Sequence, residues 1–239
     1  MHESGSDRVT NSRSPGVTQY SRLVGTYSAL AGERSAYNSG VDRAFSSLAR
    51  TQGAEWLDVG SGDATRALRL NRELRKTLTV LEPSSLLPSS FESDYPSVGV
   101  IRGQIEDADF GREFDIVSML WNVVGHLESL RATLLKVHER LSPSGVLFFD
   151  ANSCLNVSRF GVTTVMKNFI RRAPRLSFPW PDEDSKTSVN FYSRRFLKVQ
   201  LTRAGFSPSF SYINYDTGLP ASSAFDGSMV IVAKKRLIP

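Results

Sequence analysis

Glu55-Trp-Leu-Asp-Val-Gly-Ser-Gly-Asp-Ala-Thr65 is the stretch around which the rest of the chain is arranged. Apolar residues at 56, 57 and 59 predict a short buried strand, with Asp58 set among them. Gly60 and Gly62 end that strand, and a helical pattern runs from Ala64 to Leu74. A strand, a glycine turn and a helix start let backbone approach a ligand closely. The N–H groups and the helix dipole favour an anionic or polar oxygen there. Two glycines alone also suit a plain turn in an α/β protein.

The next strand separates these readings. Leu78-Thr-Val-Leu81 ends in Glu82-Pro83, and Glu82 lies 20 positions past Gly62. In a nucleotide-binding α/β unit, an acid at about that distance accepts hydrogen bonds from ribose hydroxyls.

Leu57-Asp-Val-Gly-Ser-Gly-Asp63 resembles motif I of class I S-adenosylmethionine (SAM)-dependent methyltransferases, with Glu82 in the position of their ribose-binding acid. Dinucleotide dehydrogenases carry three glycines after the strand. Here Asp63 and Ala64 follow the second glycine, and Thr65 stands where the third would fall. The resemblance runs from about Tyr20 to Ala233. It implies an α/β fold: a Rossmann-like, doubly wound, mostly parallel seven-stranded sheet with an antiparallel C-terminal hairpin. It also implies SAM as cofactor, with S-adenosylhomocysteine as product, held by Asp58, Gly60, Ser61, Gly62, Glu82 and Pro83.

The 239 residues suffice for one domain with a full core. Hydrophobic residues make up 40% and charged residues 22%, an ordinary soluble balance. No apolar run approaches the roughly 20 residues of a membrane span, and the polar N-terminus lacks a signal-peptide core. Cys154 is the one cysteine, so an internal disulfide is excluded and no metal cluster is offered. These features predict a cytoplasmic protein without a metal. The formal charge is +5, and Leu155–Pro181 alone carries +5 through Arg159, Lys167, Arg171, Arg172 and Arg175. That segment reads as a solvated helix face or as a surface for anionic partners.

Residues 1–17 read as a disordered tail, and 18–239 as a single domain. Tyr20, Leu23, Val24, Tyr27, Leu30 and Ala31 fall at helical spacing, and Gly40–Arg50 forms a second helix. By resemblance, helices over 18–50 fold over the cofactor. Tyr20 and Tyr27 then offer hydroxyls or ring faces to the sulfonium, or else they pack in the core. Strands at 55–60, 78–82, 98–101, 114–118 and 146–149 alternate with helices at 64–75, 84–92 and 127–141. This alternation predicts a parallel sheet with helices on both faces and ligands at the strands' carboxyl ends. Ser142-Pro-Ser-Gly145 reads as a turn. Residues 151–190 break the rhythm with a helix over Val157–Arg171, a proline-rich stretch and the acidic Asp182-Glu-Asp184. In the family, this is where a substrate cap is built. A helix over Ser193–Ala204 and strands over Phe206–Tyr215 and Ser228–Ala233 complete the chain.

Gly103-Gln-Ile-Glu-Asp107 follows the third strand. The family commonly places an acid at the position of Gln104 to bond the adenine amine, and the backbone N–H of Ile105 meets the ring. The amide oxygen of Gln104 still accepts, more weakly than a charged group. Phe114-Asp-Ile-Val-Ser-Met-Leu-Trp-Asn-Val-Val-Gly-His-Leu127 resembles motif IV, and its wording resembles N-methyltransferases acting on antibiotic amino sugars. The resemblance places Met119 and Leu120 beside the cofactor's methionine arm. Trp121 and Asn122 line the acceptor site, and Asp150 and Asn152 face the acceptor or else fix the following loop. His126, at the start of the next helix, is the histidine placed to take a proton, since imidazole titrates near about 6.5. Asn122 and His126 are thus the candidate catalytic pair.

The reaction expected is methyl transfer to nitrogen or oxygen of a small-molecule acceptor, a natural-product or sugar intermediate. Two alternatives stand beside it. One is a nucleic-acid methyltransferase using the basic 159–175 segment, although no RNA-binding module accompanies it. The other is a non-catalytic SAM-fold binding protein. The sequence leaves the oligomeric state open.

Overall fold

The computed structural model describes residues 35–171, 175–179 and 186–236. The tail over 1–17, the helix bearing Tyr20 and Tyr27, and Asp182-Glu-Asp184 lie outside the described residues. Among these, helix α1 (Ser35–Ala49) leads into β1 (Glu55–Val59), α2 (Thr65–Leu74), β2 (Thr77–Leu81), α3 (Phe91–Asp94), β3 (Gly99–Ile101) and β4 (Phe114–Met119). A 3-10 turn, Val123–His126, precedes α4 (Leu130–Arg140) and β5 (Leu141–Ala151). Helices α5 (Val157–Phe160) and α6 (Val162–Arg171), strands β6 (Arg175–Pro179) and β7 (Lys186–Asn190), helix α7 (Arg194–Arg203), and strands β8 (Phe206–Ile213) and β9 (Ser228–Lys235) follow.

Among the described residues, seven strands form one sheet in the order β3-β2-β1-β4-β5-β9-β8. The first five are parallel, β9 runs antiparallel to β5, and β8 antiparallel to β9. This is the doubly wound, mostly parallel sheet with an antiparallel C-terminal hairpin that the sequence predicts. The cause is visible in β1, where Trp56 through Val59 are all buried, because a central parallel strand is covered on both faces. Alternate residues feed two cores. Leu57, Val59, Val117 and Phe149 meet Leu134, Val137 and Leu197 of α4 and α7. Trp56, Ile116 and Phe148 meet Val41, Phe45, Ala67 and Leu70 of α1 and α2.

Several boundaries differ from expectation. The helix expected over 84–92 shrinks to α3, because Pro83 and Pro88 lack N–H donors and disfavour helix before them. The Leu87 and Pro88 carbonyls instead accept from the Arg102 guanidinium at 2.9 and 2.7 Å. Helix α4 starts at Leu130, where the Ser129 side chain accepts from the Ala132 N–H at 3.3 Å. His126 therefore ends a 3-10 turn and does not open that helix. Ser142–Gly145 does not end the ladder: Leu141 pairs with Phe114 and Val146 with Ile116, so the four residues bulge out within β5. The helix expected over 157–171 splits at Gly161, whose φ of 75° lies in the left-handed region. The proline-rich stretch, read as breakers, carries β6, which pairs with β7. Strand β7 packs against the 3-10 turn, with Val189 beside Gly125.

Candidate active site

Gly60 and Gly62 turn with φ of 69° and 59°, and Ala64 adopts 60° just before α2. The turn thus keeps a third left-handed residue without a third glycine. It is drawn onto the end of β2 by bonds from the Gly60 and Ser61 N–H groups to the Leu81 carbonyl, at 2.8 and 3.2 Å. Glu82 comes next, 5% exposed. Its carboxylate accepts from the Gly62 N–H at 2.8 Å and from the Ser84 N–H at 2.9 Å. Burial pushes its carboxyl above the ordinary range, against the bonds from Ser84 and Gly62.

These groups border a cleft of about 820 Å³, open mouth included, at the carboxyl ends of β1, β2 and β4. Gly60, Gly62, Glu82, Pro83, Gln104, Ile105, Leu120, Trp121 and His126 all line it. Leu86, Val123 and Leu127 add apolar wall that the motif reading did not single out. Glu106 also borders the cleft, and its carboxylate accepts from the Thr133 hydroxyl. A second, more polar cavity meets the first at Gly60, Leu120 and Trp121, and Asp58 and Ser61 line it. Its Arg66 and Arg69 share the buried Asp42 carboxylate. Trp56 donates its indole N–H to the Ser118 hydroxyl at 2.8 Å, and that hydroxyl donates to Asp58. Burial raises the Asp58 carboxyl to about 6, opposed by the Ser118 and Ser61 hydroxyls.

The residues expected on the acceptor side depart further from the sequence reading. Met119 is fully buried in the α4/α7 core, whereas Leu120 lines both cavities. Successive residues leaving a strand face opposite ways, so of the two only Leu120 borders the cavities. Trp121 and Asn122 are left-handed, with φ of 70° and 58°. Asp150 is 2% exposed, and its carboxylate accepts from the Trp121 N–H at 2.6 Å, the Asn122 N–H at 3.1 Å and the Tyr37 hydroxyl at 3.1 Å. As a correction, it braces this turn from behind and lines neither cavity. Asn122 is 4% exposed, and its side-chain oxygen accepts from the Asn152 N–H at 3.0 Å. This ties the ends of β4 and β5 together, so Asn122 is a fastening residue where catalytic contact was expected. Asn152 lies outside both linings and takes part through its backbone, its carbonyl accepting from the Tyr192 N–H at 3.3 Å.

Two participants escaped the motif reading. Tyr37 lies one helical turn ahead of Val41 and two ahead of Phe45, and that spacing, carried back from Gly40, would have found it. Tyr192 donates its hydroxyl to the Val124 carbonyl at 3.1 Å, fixing the 3-10 turn that carries His126. Nothing local in the sequence signals that contact. Among the described residues no group of His, Cys, Asp and Glu is arranged to hold a metal, and no helix is long and apolar enough to cross a membrane.

A family model described as a methyltransferase domain matches residues 31–208, well over half of the chain. Comparison with curated proteins returns no match. Solved structures share the fold at low identity. A SAM-dependent methyltransferase from Thermotoga maritima is 15% identical with a TM-score of 0.67, over 93% of this chain and 100% of its own. A SAM-bound amino pentose methyltransferase of calicheamicin biosynthesis from Micromonospora echinaspora is 16% identical with a TM-score of 0.60, over 87% and 95%. A 1,6-didemethyltoxoflavin-N1-methyltransferase from Burkholderia thailandensis is 14% identical with a TM-score of 0.64, over 92% and 87%.

Proposed function

Since this chain belongs to the methyltransferase-domain family, whose members use SAM, we propose that it transfers a methyl group to a nitrogen or oxygen of a small-molecule acceptor. SAM supplies an electrophilic methyl on a sulfonium and leaves as S-adenosylhomocysteine. The residues of the cleft fit it. The observation that carries the reading is the buried Glu82 carboxylate at the floor of the cleft. A carboxylate offers about four acceptor positions. The Gly62 N–H occupies one and the N–H and hydroxyl of Ser84 two more, leaving about one for a ribose hydroxyl. Gln104 and Ile105 border the same cleft where adenine would lie, against Leu86 and Leu127. Gly60 stands where the two cavities join, Asp58 and Ser61 line the second cavity beside it, and the three suit the zwitterionic methionine end.

Positioning supplies most of the acceleration. Holding an acceptor at about 3–3.5 Å from the methyl carbon lowers the barrier by roughly 7–11 kcal/mol. Trp121 borders both cavities and is the surface against which the acceptor is oriented. His126 takes the proton from a hydroxyl or ammonium acceptor, and for a neutral amine it only orients the nucleophile. Residues 151–190 act as the substrate cap, a role supported by β7 and Tyr192 leaning on the His126 turn. A small acceptor accords with the amino pentose and toxoflavin-precursor enzymes that share the fold. The basic segment is partly used in packing, since the Arg159 guanidinium lies 3.4 Å over the Tyr215 ring.

Calorimetric titration with SAM and S-adenosylhomocysteine, beside NAD and ATP, tests the assignment. Binding confined to the two sulfur nucleosides supports it. Binding of NAD alone would convert the site into that of a dehydrogenase.

A further inference from the structure

Trp121 and Asn122 are consecutive residues with side chains, both in the left-handed region, with φ of 70° and 58°. Such a pair relaxes unless the surroundings hold it. Here both N–H groups end on one carboxylate, that of Asp150, which lies 28 and 29 residues further along the chain. The carboxylate is itself held from the far side by the Tyr37 hydroxyl of α1. The Tyr37 ring stacks on Tyr215 at 5.1 Å, and the Arg159 guanidinium of α5 covers Tyr215. One contact chain therefore runs from α5, through β8's end and α1, to the residue that borders both cavities.

We infer that Asp150, gripped by Tyr37, is a positioning residue that sets the Trp121 ring at the methyl-donor end of the cofactor, a role distinct from binding the nucleoside. This rests on the methyltransferase reading above. The carboxylate touches neither cavity. Its influence passes through the two N–H bonds into the backbone of Trp121, and from there into the ring facing the join of the cavities. Asp150 and Tyr37 are buried, and burial drives the carboxylate toward its neutral form. The neutral form keeps one full acceptor oxygen and forfeits one N–H bond, so the brace needs the carboxylate ionised. The positive charge of Arg66 and the three donors around it, Asn122, Trp121 and Tyr37, supply that stabilisation.

The test uses the full chain with Tyr37→Phe, which removes only the outer hydroxyl, and Asp150→Asn, which keeps the shape. S-adenosylhomocysteine carries a bare sulfur at the reacting position, whereas sinefungin carries an amine-bearing carbon there. Expected for both variants is S-adenosylhomocysteine affinity within about twofold of the unsubstituted protein, with sinefungin weakened about five- to tenfold. Trp121 emission is isolated by subtracting the spectrum of the matching Trp121→Phe protein, and it should shift in both variants. An unchanged ratio of the two affinities overturns the inference, as does an equal loss of both ligands. If the unsubstituted protein binds neither nucleoside, the cofactor assignment fails on its own. In that case an unmoved Trp121 emission still decides against the brace.

Discussion

The turn after β1 and the turn after β4 lie side by side, yet they are secured from different distances. The first is held by its own strand and the next one: Gly60 and Ser61 bond to Leu81, and Gly62 bonds to Glu82. Glycine permits its unusual dihedral angles at two of three positions. The second puts Trp121 and Asn122 into similar angles with no glycine, and holds them with Asp150, Tyr37 and the backbone of Asn152. Local chemistry builds the glycine-turn half of the cleft. Remote packing builds the half around Trp121. Each half should therefore fail in its own way.

The largest separation is expected from His126→Asn. If His126 takes the acceptor's proton, turnover of a hydroxyl acceptor drops about 10²–10⁴-fold, while SAM affinity stays within a factor of about two. Radiolabelled methyl transfer and calorimetry measure the two effects, and parallel losses would erase the division between halves. Next comes Glu82→Ala, which should weaken SAM about 100-fold and leave the fold intact. Each hydrogen bond to a charged group contributes about 1.5–3 kcal/mol. Unchanged SAM affinity by calorimetry would remove the ribose assignment.

Gly60→Ala probes stability at the seam between the turns. A Cβ there meets Val123 Cγ2 at 2.7 Å in a residue with φ of 69°. The left-handed strain costs about 1–2 kcal/mol, and crowding adds about 1 kcal/mol or more. Urea unfolding should show a loss of about 2–3 kcal/mol; a loss under 1 kcal/mol means that the seam is loose. The last probe is a slope with pH. The Asp58 carboxyl is raised to about 6 in the folded chain, against about 3.9 in an unfolded one. The native state therefore binds more protons in that window. Asp58's contribution to stability is fully present below about pH 4 and is lost as pH rises through 6. The stability difference between the unsubstituted protein and Asp58→Asn should shrink between pH 4 and 7. A difference that stays flat would mean that Asp58 meets water.

Much of this was legible from residues alone. The strand–turn–helix of 55–74 and the acid at 82 are short-range patterns, and the structure places them together as their spacing requires. The resemblance to motif I added the cofactor, and the alternation of apolar strands and helices added the parallel sheet. Gln104 and Ile105 joined the cleft because loops after parallel strands gather at one edge. The half around Trp121 was harder to read. Met119 and Leu120 sit next to each other in sequence, and only the strand's final orientation decides which one faces the ligand. Asp150 and Asn122 are polar residues near a site, and nothing in their neighbours says that they bond to backbone rather than to an acceptor.

What the sequence by itself determined is the class of fold and the glycine-turn edge of the cleft. Hydrophobic periodicity and glycine placement act over a few residues, and they survive whatever the rest of the chain does. What only the tertiary structure decided is the edge around Trp121. There a left-handed Trp121, a buried Asp150 and a hydroxyl from Tyr37 meet across separations as long as 113 residues. Those bonds exist because both cores close at once and leave the carboxylate no water to turn to.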